Sequence, residues 1–125
     1  MAIHNERGKE GELLACQYLS QRGYQVEICN WKSSYYEIDI IATKDGIVHF
    51  VEVKTRHNLT FGYPEESVSK KKFNNLKKAA SCFLSQYSKI RKIQFDILSI
   101  LREKDKPIEY FLIEDVYMWK LKLKS

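Results

Sequence analysis

No apolar run in the chain approaches the roughly twenty residues that a membrane span requires. The opening "MAIHNERGKEGELL" has none of the continuous apolar stretch of a secretion signal. Both absences point to a soluble, cytoplasmic protein without a membrane partner. Cysteine is scarce: Cys16, Cys29 and Cys82 are odd in number, widely spaced and without a CxxC pair. That speaks against a disulfide framework and a zinc knuckle and leaves reduced, mostly buried thiols. Repeats, low-complexity tracts and an interdomain linker are also missing. With 125 residues, 44% of them hydrophobic and 13% aromatic, the chain reads as a single domain, 1–125, around one core.

Acid is absent from one long segment. Between Ser67 and Phe95 there are eight Lys or Arg and no Asp or Glu, leaving 13 basic residues elsewhere against all 16 acids. The formal net charge of +5 is therefore a local basic zone, of the kind a phosphate backbone selects. A solvated lysine-rich helix is the bland alternative. Lys70, Lys71 and Lys72 crowd the predicted start of that helix, where the macrodipole disfavours cations by roughly a few tenths of a kcal/mol each. A helix built only for stability places them elsewhere, so these lysines, with Lys77 further along, are candidate nucleic-acid contacts.

What is present has clear periodicity. Asn5 is a possible cap for a helix to about Arg22, with Gly23 as its left-handed end and Gly8, Glu12, Ala15 and Leu19 on one face. "YQVEIC" reads as a strand and "NWKSS" as a polar turn. "YYEIDIIA", "KDG" and "IVHFVEVK" complete an antiparallel three-strand meander. After the loop "TRHNLTFGYPEE", a helix capped by Ser67 carries Phe73, Leu76, Ala80, Phe83, Leu84 and Tyr87 as one stripe. "IQFDILSIL" and "IEYFLI" are further strands, and "VYMWKLKLK" reads as a lysine-guarded edge strand. The order requires the long helix to cross over to a parallel fourth strand, so the fold class is α/β with a central mixed sheet flanked by helices.

The strands of the meander carry charge where burial is expected. If Asp45-Gly46 forms a two-residue type I′ turn, residues whose numbers sum to 91 oppose each other. Asp39 then faces Glu52 and Glu37 faces Lys54, all four on one side of the sheet. Opposed carboxylates among Ile and Val need a positive partner. Lys54 answers one, most naturally Glu37, and Asp39 with Glu52 becomes an oxygen site suited to Mg²⁺ or Mn²⁺. Such an ion acidifies water, and an adjacent lysine stabilises charge on a phosphate, which together suit phosphodiester hydrolysis. The alternative is an internal salt-bridge lattice, or strand ends reaching into solvent. His49 and His57 lack partners at ligand spacing and read as structural, and Asp96 reads as a buried acid paired with an Arg or Lys, with a place in an outer shell as the alternative. Trp31, Tyr35, Tyr36 and Tyr63 fall in or near predicted loops, where packing competes with base stacking.

Asp39 followed by Glu52-Val53-Lys54, behind a helix bearing Glu12, resembles the PD-(D/E)xK restriction-endonuclease-like superfamily and its Holliday junction resolvase branch. "GE" at 11–12, "EIDIIA" at 37–42, "FVEVKTR" at 50–56, "FGYPEESV" at 61–68, Lys72, "AA" at 79–80 and "FDI" at 95–97 are similar to the bacterial YraN-like family. Ile38, Tyr36 and Gln94 stand where those patterns have proline, glycine and arginine. The resemblance implies a restriction-endonuclease-like fold and a metal-dependent endonuclease acting on DNA, branched or otherwise structured. It implies that Asp39 and Glu52 ligate Mg²⁺, with Mn²⁺ as substitute, and that the Val53 carbonyl and Glu12 join them. Lys54 would serve catalysis, and Arg56 and Lys72 would contact phosphates. A binding module that kept the fold and lost turnover is the competing expectation. A homodimer pairing two sites is a further one.

Overall fold

The computed structural model describes residues 2–58 and 70–116, with the side chains of 2–9 and of Lys70 left aside. Two helices and five strands follow one another as α1 (Ala2–Gln21), β1 (Gln25–Ser33), β2 (Tyr36–Lys44), β3 (Ile47–Arg56), α2 (Lys70–Leu84), β4 (Ile93–Leu101) and β5 (Glu109–Ile113). The strands form one sheet in the order β1-β2-β3-β4-β5. Every neighbouring pair is antiparallel except β3 and β4, which run parallel on either side of α2 in the chain. The mixed α/β layout expected from the pattern is the one observed.

Period-two alternation divides the core between the two faces of the sheet. Phe50, Phe95 and Ile97 point to α2 and pack with Phe73, Leu76, Ala79, Ala80 and Phe83. Val51, Leu98 and Ile100 point the other way, to Ala15 and Leu19 of α1. Gly11 lies one turn before Ala15 on that buried stripe. A Cβ on Gly11 would stand 2.6 Å from Thr55 Oγ1, so a larger residue there obliges that hydroxyl to turn away or the helix to move back.

Turn chemistry fixes the joints. The Tyr24 N–H donates to the Leu19 carbonyl at 3.0 Å and the Gly23 N–H to that of Ser20 at 3.2 Å, the two bonds of a Schellman end, with Gly23 at φ 89°. Asp45 and Gly46 both have positive φ, 53° and 79°, as a type I′ hairpin requires. The expected sum of 91 holds from Lys44↔Ile47 to Ile40↔Val51.

Several expectations need correction. The first helix starts at Ala2, so Asn5 lies within it rather than capping it. "NWKSS" is not a turn: β1 continues through it to Ser33, and Ser34, at φ 50°, begins the reversal. α2 stops at Leu84, leaving Tyr87 outside the helix, though stacked on Phe83. Of the last predicted strand only Val116 is described, and it is buried in the α2-side core outside the sheet. The loop with Tyr63, Pro64 and the Ser67 cap, and the residues after Val116, lie outside the described residues.

One irregularity positions everything that follows. Ile28 and Trp31 on β1 both pack into the α2-side core, and so do Ile38 and Ile41 on β2. Residues three apart on a regular strand face opposite ways, so both strands break their alternation at facing positions. On β1 the break falls at Asn30, whose φ is 56°. On β2 it falls beside Asp39, where the ladder to β3 ends.

Candidate functional site

Beyond Ile40↔Val51, β2 and β3 are tied by a side chain instead of a backbone rung. The Val53 N–H donates to Asp39 Oδ2 at 2.8 Å. Asp39 and Glu52, with Glu37, Tyr35, Tyr36 and α2's Lys72, Asn75 and Leu76, line a pocket of about 350 Å³ on the α2 face. Asp39 and Glu52 are therefore brought together. They are not brought together as a paired ladder rung, and the opposition of Glu37 to Lys54 does not form. Lys54 instead answers Glu52, two residues back on its own strand, with Nζ to Oε1 at 3.2 Å.

Three acids, Glu37, Asp39 and Glu52, share the pocket with Lys72, and Lys54 stands beside Glu52. Burial pushes the Asp39 carboxyl up to about 6, the Val53 N–H pulls it back, and Glu52 and Glu37 add to the rise while Lys54 opposes it. Burial lowers Lys54, but its hydrogen bond with Lys72 and the charges of Glu52 and Asp39 outweigh that and hold it above the ordinary lysine range. Lys72 moves the other way, mainly through the same bond to Lys54, then through burial. Of these two amines Lys54 keeps its proton more tightly.

The remaining candidates are scattered around this centre. Arg56, at the end of β3, bears on Lys72 electrostatically, and its buried Nε has no hydrogen-bond partner among the described residues. Lys71 is exposed at the start of α2, whose first turn holds no acid; Lys70 is its first residue, with its side chain outside the description. Lys77 sits 5.2 Å over the Phe73 ring and borders a shallow groove with Asn74, Lys78 and Ser81. Glu12 does not line the pocket: its Oε2 accepts from Asn30 Nδ2 at 2.6 Å, on the α1 side. Val53 reaches Asp39 through its N–H and does not line the pocket either. Among the described residues no three His, Cys, Asp or Glu gather closely enough to hold a metal unaided.

Pattern reading placed Glu37 in the charged cluster, though as the partner of Lys54, and missed Asn75 as a lining residue. It also ranked Tyr35 level with Trp31, although Trp31 is half-buried against the core, edge-on to Phe83 at 5.5 Å, and Tyr35 is 96% exposed on the pocket rim. The available signal was the Ser34-Tyr35 position itself, a hairpin tip two residues from the acids. Asp96 is buried, but its partner is His49, at 2.6 Å, and not an Arg or Lys.

The model of the uncharacterised protein family UPF0102 matches residues 11–100. The chain belongs to that family. Among its relatives, a UPF0102 protein of Dictyoglomus turgidum is 48% identical over 99 residues, covering 78% of this chain and 84% of its own. One from Syntrophomonas wolfei is 44% identical over 105 residues, 83% of this chain and 91% of the relative. The UPF0102 protein FP2501 of Flavobacterium psychrophilum is 40% identical over 118 residues, 94% and 98% of the two chains. The matched span of the UPF0102 family takes in the whole pocket lining. Among the described residues no helix is long and apolar enough to cross a membrane.

Proposed function

We propose that this UPF0102 protein is a metal-dependent endonuclease of the restriction-endonuclease-like superfamily, in its YraN-like, resolvase-related branch, hydrolysing phosphodiester bonds in cytoplasmic DNA. The observation that carries the reading is the convergence of Asp39 and Glu52, with Lys54 beside them, where β2 and β3 part. The donor set fits Mg²⁺ or Mn²⁺: hard carboxylate oxygens, and an Asp39 carboxyl that burial and its acidic neighbours leave short of positive charge. With only two or three acids at the pocket, remaining positions fall to water and substrate oxygen, as is usual for Mg²⁺. A cation held there supplies Lewis-acid charge toward a phosphate and acidifies water.

The chain's own residues divide the other tasks. Val53 N–H fixes one oxygen of Asp39. Lys54, anchored by Glu52, presents an ammonium where charge develops on the phosphate. Lys72 and Arg56 flank it as phosphate contacts, and the lysines of α2, among them Lys70, Lys71 and Lys77, extend the positive track. Tyr35 offers an open ring at the rim for an unstacked base, which favours junctions, flaps or single strands over plain duplex.

A specific observation supports a second reading, a binding module without turnover: Glu12 is engaged with Asn30 and absent from the pocket lining. One panel separates the two. Single-stranded, duplex, flap and four-way DNA are incubated with Mg²⁺ or Mn²⁺ and the parent, Asp39→Ala or Lys54→Ala proteins. Cutting by the parent alone supports the nuclease; retention of DNA without cutting supports the module; equal cutting by Lys54→Ala rules out this site. Sedimentation of the parent with and without a four-way junction tests the homodimer.

A further inference from the structure

Cys16 on α1 and Cys29 on β1 face each other across the helix–sheet seam with their Sγ atoms 3.2 Å apart. That is only about 1 Å beyond a disulfide bond length, a distance that small side-chain rotations close. The neighbouring contact in the same seam, Glu12 to Asn30 at 2.6 Å, already holds helix and strand together one turn earlier and one residue further on. Accessibility differs between the two thiols: Cys29 is exposed and Cys16 half-buried. The third cysteine, Cys82, lies on α2 across the sheet and takes Ser33 Oγ at 3.4 Å as its partner.

We propose that Cys16 and Cys29 form a modification site that reacts with a peroxide-class oxidant and closes to an intramolecular disulfide. The Cys29 thiolate attacks one peroxide oxygen. A sulfur–oxygen bond forms, the O–O bond breaks, and the departing hydroxide takes a proton and leaves as water. The Cys16 sulfur then attacks the Cys29 sulfenic sulfur, the S–S bond forms, and the S–OH bond breaks. Hydroxide leaves with the Cys16 proton as a second water. Two thiols lose two electrons in all, and one hydrogen peroxide becomes two waters. Burial first, then the contact with Cys29 and the charge of Glu12, push the Cys16 thiol up to about 12, which suits it to resolving rather than to meeting the oxidant. Thiol exchange with a reductant reverses the closure.

The site needs neither nucleic acid nor metal, so its test is independent of the nuclease reading. Purified full-length protein is treated with stoichiometric hydrogen peroxide, alkylated, digested and analysed by mass spectrometry without reduction. The expected product is a monomer lighter by two hydrogens, with one cross-linked pair, Cys16 to Cys29, and with Cys82 alkylated. Closure across a sequence separation of 13 raises the melting temperature by roughly 5 to 10 °C, and dithiothreitol removes the gain. In Cys16→Ser, or in Cys16→Ala if the hydroxyl disturbs packing, a dimedone-type probe labels Cys29 and not Cys82. Dimers joined through Cys29, cross-links to Cys82, stable sulfenic acid on parent Cys29, or no oxidation at either thiol would each overturn the proposal.

Discussion

The sheet buries charge in two places, and the two are built on opposite terms. On the α1 side, Asp96 is fully buried and every acceptor is used: Oδ2 meets His49 Nδ1 at 2.6 Å, and Oδ1 accepts from Gln94 Nε2 and from the Asp115 N–H, both at 2.9 Å. On the α2 side, Asp39 has one backbone donor and faces Glu52 and Glu37 across an open pocket, with Lys54 spent on Glu52. A closed polar cluster rigidifies the fold and offers nothing to a ligand. An open one, whose Asp39 carboxylate is disfavoured by burial and by two neighbouring acids, still gains from a cation or a basic partner. That contrast, and not the number of acids, separates a structural group from a candidate site.

The largest expected effect is loss of the closed cluster. Asp96→Ala strands the buried His49 and removes the acceptor of Gln94 and of the Asp115 N–H, and denaturant titration is expected to show a loss of about 3 to 5 kcal/mol. The open cluster should respond with the reverse sign. The Asp39 carboxyl sits at about 6 in the fold against an ordinary 3.8, so its ionisation costs stability at neutral pH. Asp39→Asn keeps an acceptor for Val53 and should stabilise the metal-free protein by up to about 3 kcal/mol at pH 7.5. The sign follows from the raised value: the parent gains stability as pH falls from about 6 toward 3.8, where both states are protonated, so the advantage of the variant should vanish across that window in paired melts. A constant advantage at all pH values would mean that the carboxylate is not under strain.

A smaller effect comes from the ion itself. Mn²⁺ at a hundredfold excess over its dissociation constant should stabilise the parent by about 2.7 kcal/mol in calorimetry, and Asp39→Ala should abolish the gain while leaving His49–Asp96 undisturbed. The smallest is at the rim. Tyr35→Ala should change stability by no more than about 0.5 kcal/mol, yet weaken single-strand binding in fluorescence anisotropy by about 1 to 3 kcal/mol, with Tyr35→Phe restoring it.

Legibility in the sequence followed the range of the interactions. The Asp45-Gly46 turn is local chemistry, and the pairing as far as Ile40 and Val51 was counted directly from it. The parallel partnership of β3 and β4 followed from one helix lying between two strong strands. Asp39 and Glu52 were placed together correctly, but by a ladder that stops one rung short of them, so the partner assigned to Lys54 was wrong. The break coincides with one on another strand: Asn30, a residue tolerant of positive φ, stands opposite Asp39. His49 and Asp96 were each judged structural without being paired. Their meeting depends on the β3–β4 register, set by tertiary packing and not by any turn. Glu12 had the expected helix face but not the pocket, because α1 covers one side of the sheet and the pocket opens on the other.

The approach of α1 to β3 leaves no room for even a methyl group between Gly11 and Thr55. If Gly11→Ala moves the helix back and not the Thr55 hydroxyl, the contacts of Glu12, the next residue along, and of the Cys16 thiol one turn later move with it. Chemistry on the helix side is tuned by a position that carries no chemistry of its own.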